Sequence, residues 1–279
     1  MFKLIDCHSH VNSEFFKGEY PEVLKRAFEA GVAVINVGTN LKDSEENVKI
    51  AEKFEGSVWA TVGVHPSETD FSTQGGLKDY DFLKKMAENE KVVAIGECGL
   101  DYKELKVKSE KLKVEEVDKI NFDFKKEKER QVKLFKEQIR LAKEVGKPLM
   151  LHVRTEEAWQ KIIEILEEES NLPKFICHFF SGDLEQAKKI LKMGGYFTFG
   201  GVITFSRDYD EIVKEIPLEA IMLETDSPFV APEPYRGQKN RPEYVVEVAK
   251  KVAEIKEVSL EEVAEKTTET AKKVFKIKV

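Results

Sequence analysis

The chain has 279 residues, of which 41% are hydrophobic, and this length suffices for one large α/β barrel or two smaller domains. Its net charge of −7 argues against a protein that coats nucleic acid broadly, although it allows a small basic pocket for one phosphate. No apolar run is long enough to span a membrane, and no signal peptide is predicted. The three cysteines lack the spacing of a disulfide framework. We therefore expect a cytoplasmic protein with no membrane partner.

Short apolar runs alternate with amphipathic segments along the whole chain. The predicted strands are a first one from residue 4 towards residue 10, then 32–37, 58–64, 92–95, 149–153, 175–179, 196–199 and 220–223. The predicted helices are one from Pro21 to Gly31, one capped by Ser44, and others over 80–88, 132–142, 159–166, 184–191, 243–255 and 260–275. This alternation predicts a (β/α)₈ TIM barrel of the α/β class, with a doubly wound open sheet as the alternative.

Residues 103–129 interrupt the alternation with a stretch that is dense in lysine and glutamate. Alternating apolar positions within it predict a short surface hairpin, and a solvated loop is the alternative. No linker or internal repeat divides the chain. We therefore expect residues 1–279 to form a single domain that carries this charged insertion.

All five histidines of the chain lie at or near the C-terminal ends of predicted strands, and two further strand ends carry an acid. The histidines are His8, His10, His65, His152 and His178, and the acids are Glu97 and Asp226. Active sites of (β/α)₈ barrels are built at these strand ends. We therefore expect the side chains to converge, although a hydrogen-bonded core histidine is the alternative at any single position.

Six of these residues form a candidate ligand set: His8, His10, Glu97, His152, His178 and Asp226. They are too many for one tetrahedral ion with an open position, and they fit two ions that share a carboxylate. Nitrogen-rich ligation suits Zn, Mn, Fe or Co, whereas pure Mg sites prefer oxygen. The cysteines beside three of these ligands are interpreted as small buried hydrophobes.

Basic side chains lie near the candidate ligands in the sequence. Arg154 follows His152 by two residues and faces the same side of its strand, and Arg236 opens a polar loop after the last strand. A guanidinium group can bind phosphate through two hydrogen bonds. The alternative for the second arginine is an ordinary solvated loop.

Seven segments in this order resemble the TatD family of metal-dependent deoxyribonucleases, within the amidohydrolase-like barrels. They are residues 6–10, 63–66, 96–102, 151–154, 178–182, 224–228 and 236–242. Each segment alone is a weak signal, but their joint order along nearly the whole chain is specific. The stretch 103–129 is longer than the usual connection in the family.

The resemblance implies a TIM barrel and a phosphodiester hydrolase with two divalent ions, Mg, Mn or Zn. By position, His8, His10 and Asp226 would hold the first ion, His152 and His178 the second, and Glu97 would bridge them. Family members are described as 3′-5′ exonucleases on DNA or RNA, and some have been assigned to removal of D-amino acids from tRNA. DNA or RNA ends are thus the expected substrate, with no obligate protein partner.

We therefore interpret the protein as a metal-dependent hydrolase in which Asp226 and Glu97 are catalytic. Asp226 would orient the attacking water, and Arg154, His65 and Arg236 would contact the phosphate, although a structural hydrogen bond is an equal interpretation of His65. The first alternative is an amidohydrolase-like esterase or amidase, for example a D-aminoacyl-tRNA deacylase. A non-catalytic metal-binding protein is the second.

Overall fold

The fold is a single barrel of eight parallel strands, seen in a computed structural model that describes residues 3–12, 14–16, 18–54, 56–68, 76–103 and 124–278. The strands pair in chain order from β1 to β8. Their bounds are β1 Leu4–Ser9, β2 Val32–Asn36, β3 Val58–Val62, β4 Val92–Asp101, β5 Leu149–Arg154, β6 Phe175–Cys177, β7 Tyr196–Phe199 and β8 Ile221–Leu223. The prediction of a (β/α)₈ barrel is confirmed, and the open-sheet alternative is wrong.

Helices lie between the strands and follow the last one. Their bounds are α1 Tyr20–Glu29, α2 Leu41–Lys53, α3 Gly76–Ala87, α4 Phe124–Val145, α5 Glu156–Glu168, α6 Leu184–Lys192, α7 Asp210–Glu215, α8 Val245–Lys256 and α9 Leu260–Phe275. In the described part of the chain, no helix is both long enough and apolar enough to cross a membrane.

The first and last strands meet through the segment that follows β8. Ser9 forms a parallel bridge with Ser227, and the backbone N–H of His10 donates to the Ser227 carbonyl at 2.8 Å. The carboxylate of Asp6 accepts hydrogen bonds from the backbone and the hydroxyl of Thr225, at 2.8 and 2.6 Å. Asp6 therefore closes the barrel beside the candidate ligands.

Apolar side chains fill the space below the mouth of the barrel. A buried cluster that includes Ile5, Ile35, Met150, Ile176 and Met222 reaches the end of α9. Met150 precedes His152 by two residues on β5, so this pair shares a strand face, and Ile176 lies on β6 two residues before His178. The filled interior confines the polar side chains to the C-terminal ends of the strands.

The start of α2 and the end of the predicted insertion differ from the sequence-based predictions. Asn40, not Ser44, caps α2 by accepting a hydrogen bond from the backbone N–H of Asp43, and Ser44 is buried inside the helix against Gly63. Helix α4 begins at Phe124, so the last six residues of the predicted 103–129 insertion are helical. The rest of the predicted hairpin, from residue 104 to 123, lies outside the described residues.

Candidate metal centre

The six predicted ligands come together at the C-terminal mouth of the barrel. His8, Glu97 and His152 lie on β1, β4 and β5, whereas three others follow the ends of strands: His10, His178 and Asp226. None of the six is more than 9% exposed. Residues from five strands or their ends thus meet at one point.

The first half of the centre contains two imidazoles and two carboxylates. Glu97 Oε2 lies 3.4 Å from His8 Nε2 and 3.7 Å from His10 Nε2. Asp226 Oδ1 lies 3.8 and 3.5 Å from the same two nitrogen atoms. His8, His10 and Glu97 therefore form a group whose ligand atoms converge closely enough to hold one ion.

The second half of the centre surrounds the other oxygen of the same carboxylate. Glu97 Oε1 lies 2.5 Å from His152 Nδ1, 3.5 Å from His178 Nε2 and 3.7 Å from His65 Nε2. His65 therefore lies close to the second half of the centre, and its Nδ1 also lies 2.7 Å from the Ser67 hydroxyl. The Glu97 carboxylate separates two groups of nitrogen atoms and offers one oxygen to each.

The hydrogen bonds around these rings fit a bound cation. His10 Nδ1 lies 3.1 Å from the carbonyl of Val37, which can only accept, so this nitrogen carries a proton and Nε2 is the atom that can offer a lone pair to an ion in the centre. His178 Nδ1 lies 2.9 Å from Glu224 Oε2, which orients its Nε2 lone pair in the same way. Lone pairs that face carboxylate oxygens repel one another unless a cation lies between them, so the donor set fits divalent ions.

The protonation states of His178, Glu97 and Asp226 agree with this interpretation. His10 differs, because its hydrogen bond to Asp226 and the Glu97 charge outweigh burial and raise its pKa to about 9, so it would release a proton on binding an ion. Burial lowers the pKa of His178 to about 3, so its ring is neutral. Burial alone would raise the pKa of Glu97, but the neighbouring histidines hold it well below its usual range. The pKa of Asp226 falls to about 2, because the His10 hydrogen bond and nearby imidazoles outweigh burial. Neutral imidazole and ionised carboxylate are the forms that bind metal ions.

Two buried carboxylates that the sequence analysis did not single out hold the histidine ligands in place. Glu224 contacts His178 as described above, and Asp101 Oδ2 lies 3.1 Å from His152 Nε2. Both residues belong to the motifs at residues 96–102 and 224–228. Glu224 precedes Asp226 by two residues, and that spacing was the available signal.

We predict that Glu224→Ala lowers the metal affinity by about 10–100-fold, because His178 loses the acceptor that fixes its orientation. Glu224→Gln should cost less, since its amide oxygen can still accept the Nδ1–H hydrogen bond. Calorimetric titration of metal-free protein with Mn²⁺ measures both affinities. Equal affinities for the two variants would contradict this role of Glu224.

The centre opens into a cavity of about 580 Å³ whose wall includes Arg154. The Arg154 guanidinium donates to the carbonyls of Val153 and Phe179, both at 3.4 Å, and lies 5.2 Å from the Phe179 ring. Arg236, the other arginine predicted to contact substrate, does not line this cavity. It is exposed, donates to the Ala231 carbonyl at 2.9 Å and lies over the Phe205 ring.

One side of the cavity wall is acidic, which the sequence analysis did not foresee. Among the described residues four carboxylates lie there, and we call them the acidic arc: Glu14, Asp43, Glu46 and Glu68. Lys42 is the basic lining residue on that side. Phe229 lines the cavity from the segment after β8.

Comparisons with known proteins agree with this arrangement. A family model described as TatD related DNase matches residues 5–276. The uncharacterized metal-dependent hydrolase YabD of Bacillus subtilis is 37% identical over 278 residues, which cover 98% of this chain and 99% of that protein. The 3′-5′ ssDNA/RNA exonuclease TatD of Edwardsiella piscicida is 28% identical, over 98% of this chain and all of that protein.

A solved structure gives the same result for the fold. The crystal structure of YjjV, a TatD homologue from Escherichia coli, superposes with a TM-score of 0.82 at 28% identity and covers 99% of both chains. The resemblance in the seven sequence segments is therefore confirmed by a whole-chain match and by the barrel itself. The chain belongs to the TatD family of metal-dependent hydrolases.

Proposed function

We propose that the protein is a divalent-metal-dependent phosphodiesterase that removes nucleotides from the 3′ end of DNA, with RNA as a second substrate. The observation that carries this proposal is the Glu97 carboxylate between two groups of imidazole nitrogens, next to an open cavity. Paired ions in such a site suit displacement at phosphorus. The names of the TatD related DNase family and of the Edwardsiella exonuclease support the choice of substrate.

The six converging side chains would hold two divalent ions, Mg, Mn or Zn. His8, His10 and Asp226 would bind one of them, His152 and His178 the other, and Glu97 would bind both. When bound, such ions lower the pKa of water and stabilise negative charge on the oxygens of a phosphodiester under attack.

Side chains of the protein would orient the attacking water and add positive charge next to the phosphate. The Asp226 carboxylate is ionised at neutral pH, so it would orient the attacking water by accepting a hydrogen bond from it. Arg154 is held by two carbonyl groups at the cavity wall, where its guanidinium would donate to the phosphate oxygens. His65 lies close enough to the Glu97 carboxylate to join either the ion or the phosphate.

The function is tested with end-labelled oligonucleotides. Single- and double-stranded DNA and RNA labelled at the 5′ end are incubated with the protein and Mg²⁺, Mn²⁺ or Zn²⁺. We expect a ladder that shortens from the 3′ end and that disappears when a chelator is added. Intact substrate with every ion would contradict the proposal, and a label released as a mononucleotide would contradict the 3′-5′ direction.

The acidic arc favours a second candidate, hydrolysis of the ester bond in D-aminoacyl-tRNA. The ammonium group of an aminoacyl ester is positive, and four carboxylates at the cavity wall would attract it. A nucleic acid that is not aminoacylated has no ammonium group and gains nothing from this wall. Release of free D-amino acid from D-aminoacyl-tRNA, with intact oligonucleotides in the first experiment, would favour this candidate.

We predict that Arg154→Lys lowers kcat/KM for the oligonucleotide by about 10²-fold, the scale of losing a positioned donor to a charged transition state. A lysine keeps the charge but loses the planar, two-donor geometry of the guanidinium. Arg140→Lys, on the exposed side of α4, is the matched control and should keep the wild-type rate. Steady-state kinetics that give equal rates for both variants would contradict a phosphate contact from Arg154.

A further inference from the structure

Two exposed phenylalanine rings lie together beside the metal centre. Phe15 is 59% exposed and Phe229 is 44% exposed. Their ring centroids are 5.7 Å apart in an edge-to-face arrangement, and the Phe229 ring lies 6.2 Å from the His10 ring. We call these two rings the aromatic pair. They begin at the candidate metal ligands and extend towards solvent.

The backbone around the aromatic pair is held in place. Asn240 Nδ2 donates to the carbonyls of Thr225 and Phe229, at 2.8 and 2.6 Å. On the other side, the ring of Phe16 is buried and Lys239 Nζ donates to the Phe15 carbonyl at 2.5 Å. Because the backbone that carries both rings is anchored, a ligand that binds them need not order it, and less conformational entropy is lost.

The charges around the mouth differ from one side to the other. Three members of the acidic arc, Asp43, Glu46 and Glu68, come from the segments after β2 and β3 and would repel a phosphate backbone there. The fourth, Glu14, precedes Phe15 on the segment after β1. One cation contacts the aromatic pair directly, because the ammonium group that donates to the Phe15 carbonyl belongs to Lys239. Arg236 lies on the same segment after β8 as Phe229, with its guanidinium 3.9 Å from the Phe205 ring. Aromatic faces next to cations are what proteins use to bind single-stranded nucleic acid without sequence preference.

We propose that the aromatic pair stacks the unpaired bases next to the bond that is cleaved, so that the strand leaves the centre across the β8 and β1 side of the mouth. This inference rests on the proposed nuclease function and adds a reason for selectivity. Bases of a duplex are already stacked on one another, so a single-stranded end binds better. Because every base has an aromatic face, selectivity depends on strandedness and hardly on sequence.

The experiment compares Phe15→Ala, Phe229→Ala and the double variant with the wild type. Phe82→Ala is the matched control, since Phe82 is similarly exposed at 43% but lies on α3. The substrates are two single-stranded DNA oligonucleotides, one with normal bases and one with abasic residues at the last three 3′ positions. We expect the double variant to raise KM for the first substrate by about tenfold or more, with KM of Phe82→Ala unchanged.

Two further readouts separate stacking from a structural effect. On the abasic oligonucleotide the double variant and the wild type should have similar KM values, because no base is left to stack. Fluorescence of 2-aminopurine at the penultimate 3′ position should be quenched on binding to the wild type and less so with the double variant. Phe15→Trp and Phe229→Trp should restore both KM and quenching.

The outcomes distinguish this inference from the proposed function. A wild type that cuts no oligonucleotide overturns the function and the stacking role together. If the wild type cuts both oligonucleotides, the function stands and the stacking role is tested separately. The stacking role is overturned if the double variant has the wild-type KM, or if its KM rises by the same factor on the abasic and the normal substrate. Should Phe229→Ala lower the unfolding temperature, Phe15→Ala, which changes the more exposed ring, gives the decisive comparison.

Discussion

Glu97→Gln is expected to lower kcat/KM for the oligonucleotide by about 10³-fold, because one side chain offers oxygens to both halves of the centre. Glutamine is almost the same size but has one oxygen, and its amide nitrogen is a donor that cannot bind a cation. Each orientation of the amide therefore removes a ligand from one half and turns N–H groups towards it. Repulsion between these hydrogens and the ion adds to the loss.

The metal content should change together with the rate. Wild-type protein equilibrated with Mn²⁺ is expected to retain two ions per chain after gel filtration, and Glu97→Gln one or none, as measured by mass spectrometry of the metal. Glu45→Gln is the matched control, since Glu45 is exposed on α2 and pairs with Lys49 at 2.9 Å. Wild-type kinetics with a wild-type metal content in the Glu97 variant would refute the shared carboxylate.

The convergence of the polar side chains could be predicted because two regularities in the sequence agree. Strand residues two apart share a face, which groups Asp6, His8 and His10. The C-terminal ends of parallel strands meet at one mouth of a barrel, which adds His152 and His178. Both regularities depend only on the positions of residues in the sequence and on no distance between segments. The location of the site and the side chains gathered there could therefore be predicted from the sequence.

Distances and directions between loops could not be predicted in this way. Arg236 follows β8 closely in sequence, but its guanidinium turns to the Ala231 carbonyl and the Phe205 ring, so its role as a phosphate contact stays a prediction. The acidic arc combines residues from three connections whose relative positions depend on packing. Ser44 has the chemistry of a helix cap, but Asn40 lies where the helix begins.

Gly99→Ala is expected to lower the free energy of unfolding by about 3–5 kcal/mol, a large part of the roughly 5–15 kcal/mol typical of folded domains. Gly99 pairs with His152 across β4 and β5, and a Cβ atom there would lie 2.1 Å from the His152 carbonyl oxygen. Its φ of +138° also lies in a region that alanine rarely adopts. The backbone of β5 would have to move, and the His152 side chain with it.

Gly146→Ala separates the two causes. Gly146 follows α4 with a φ of +65°, but its Cβ would meet no atom within 4 Å, so only the backbone conformation is strained and the cost should be about 1–2 kcal/mol. Denaturant unfolding of metal-free protein measures both variants. Gly99→Ala should also bind Mn²⁺ more weakly, since His152 is displaced, whereas Gly146→Ala should keep the wild-type affinity. If both variants lose equal stability and equal affinity, the close approach of β4 to β5 does not position the metal ligand.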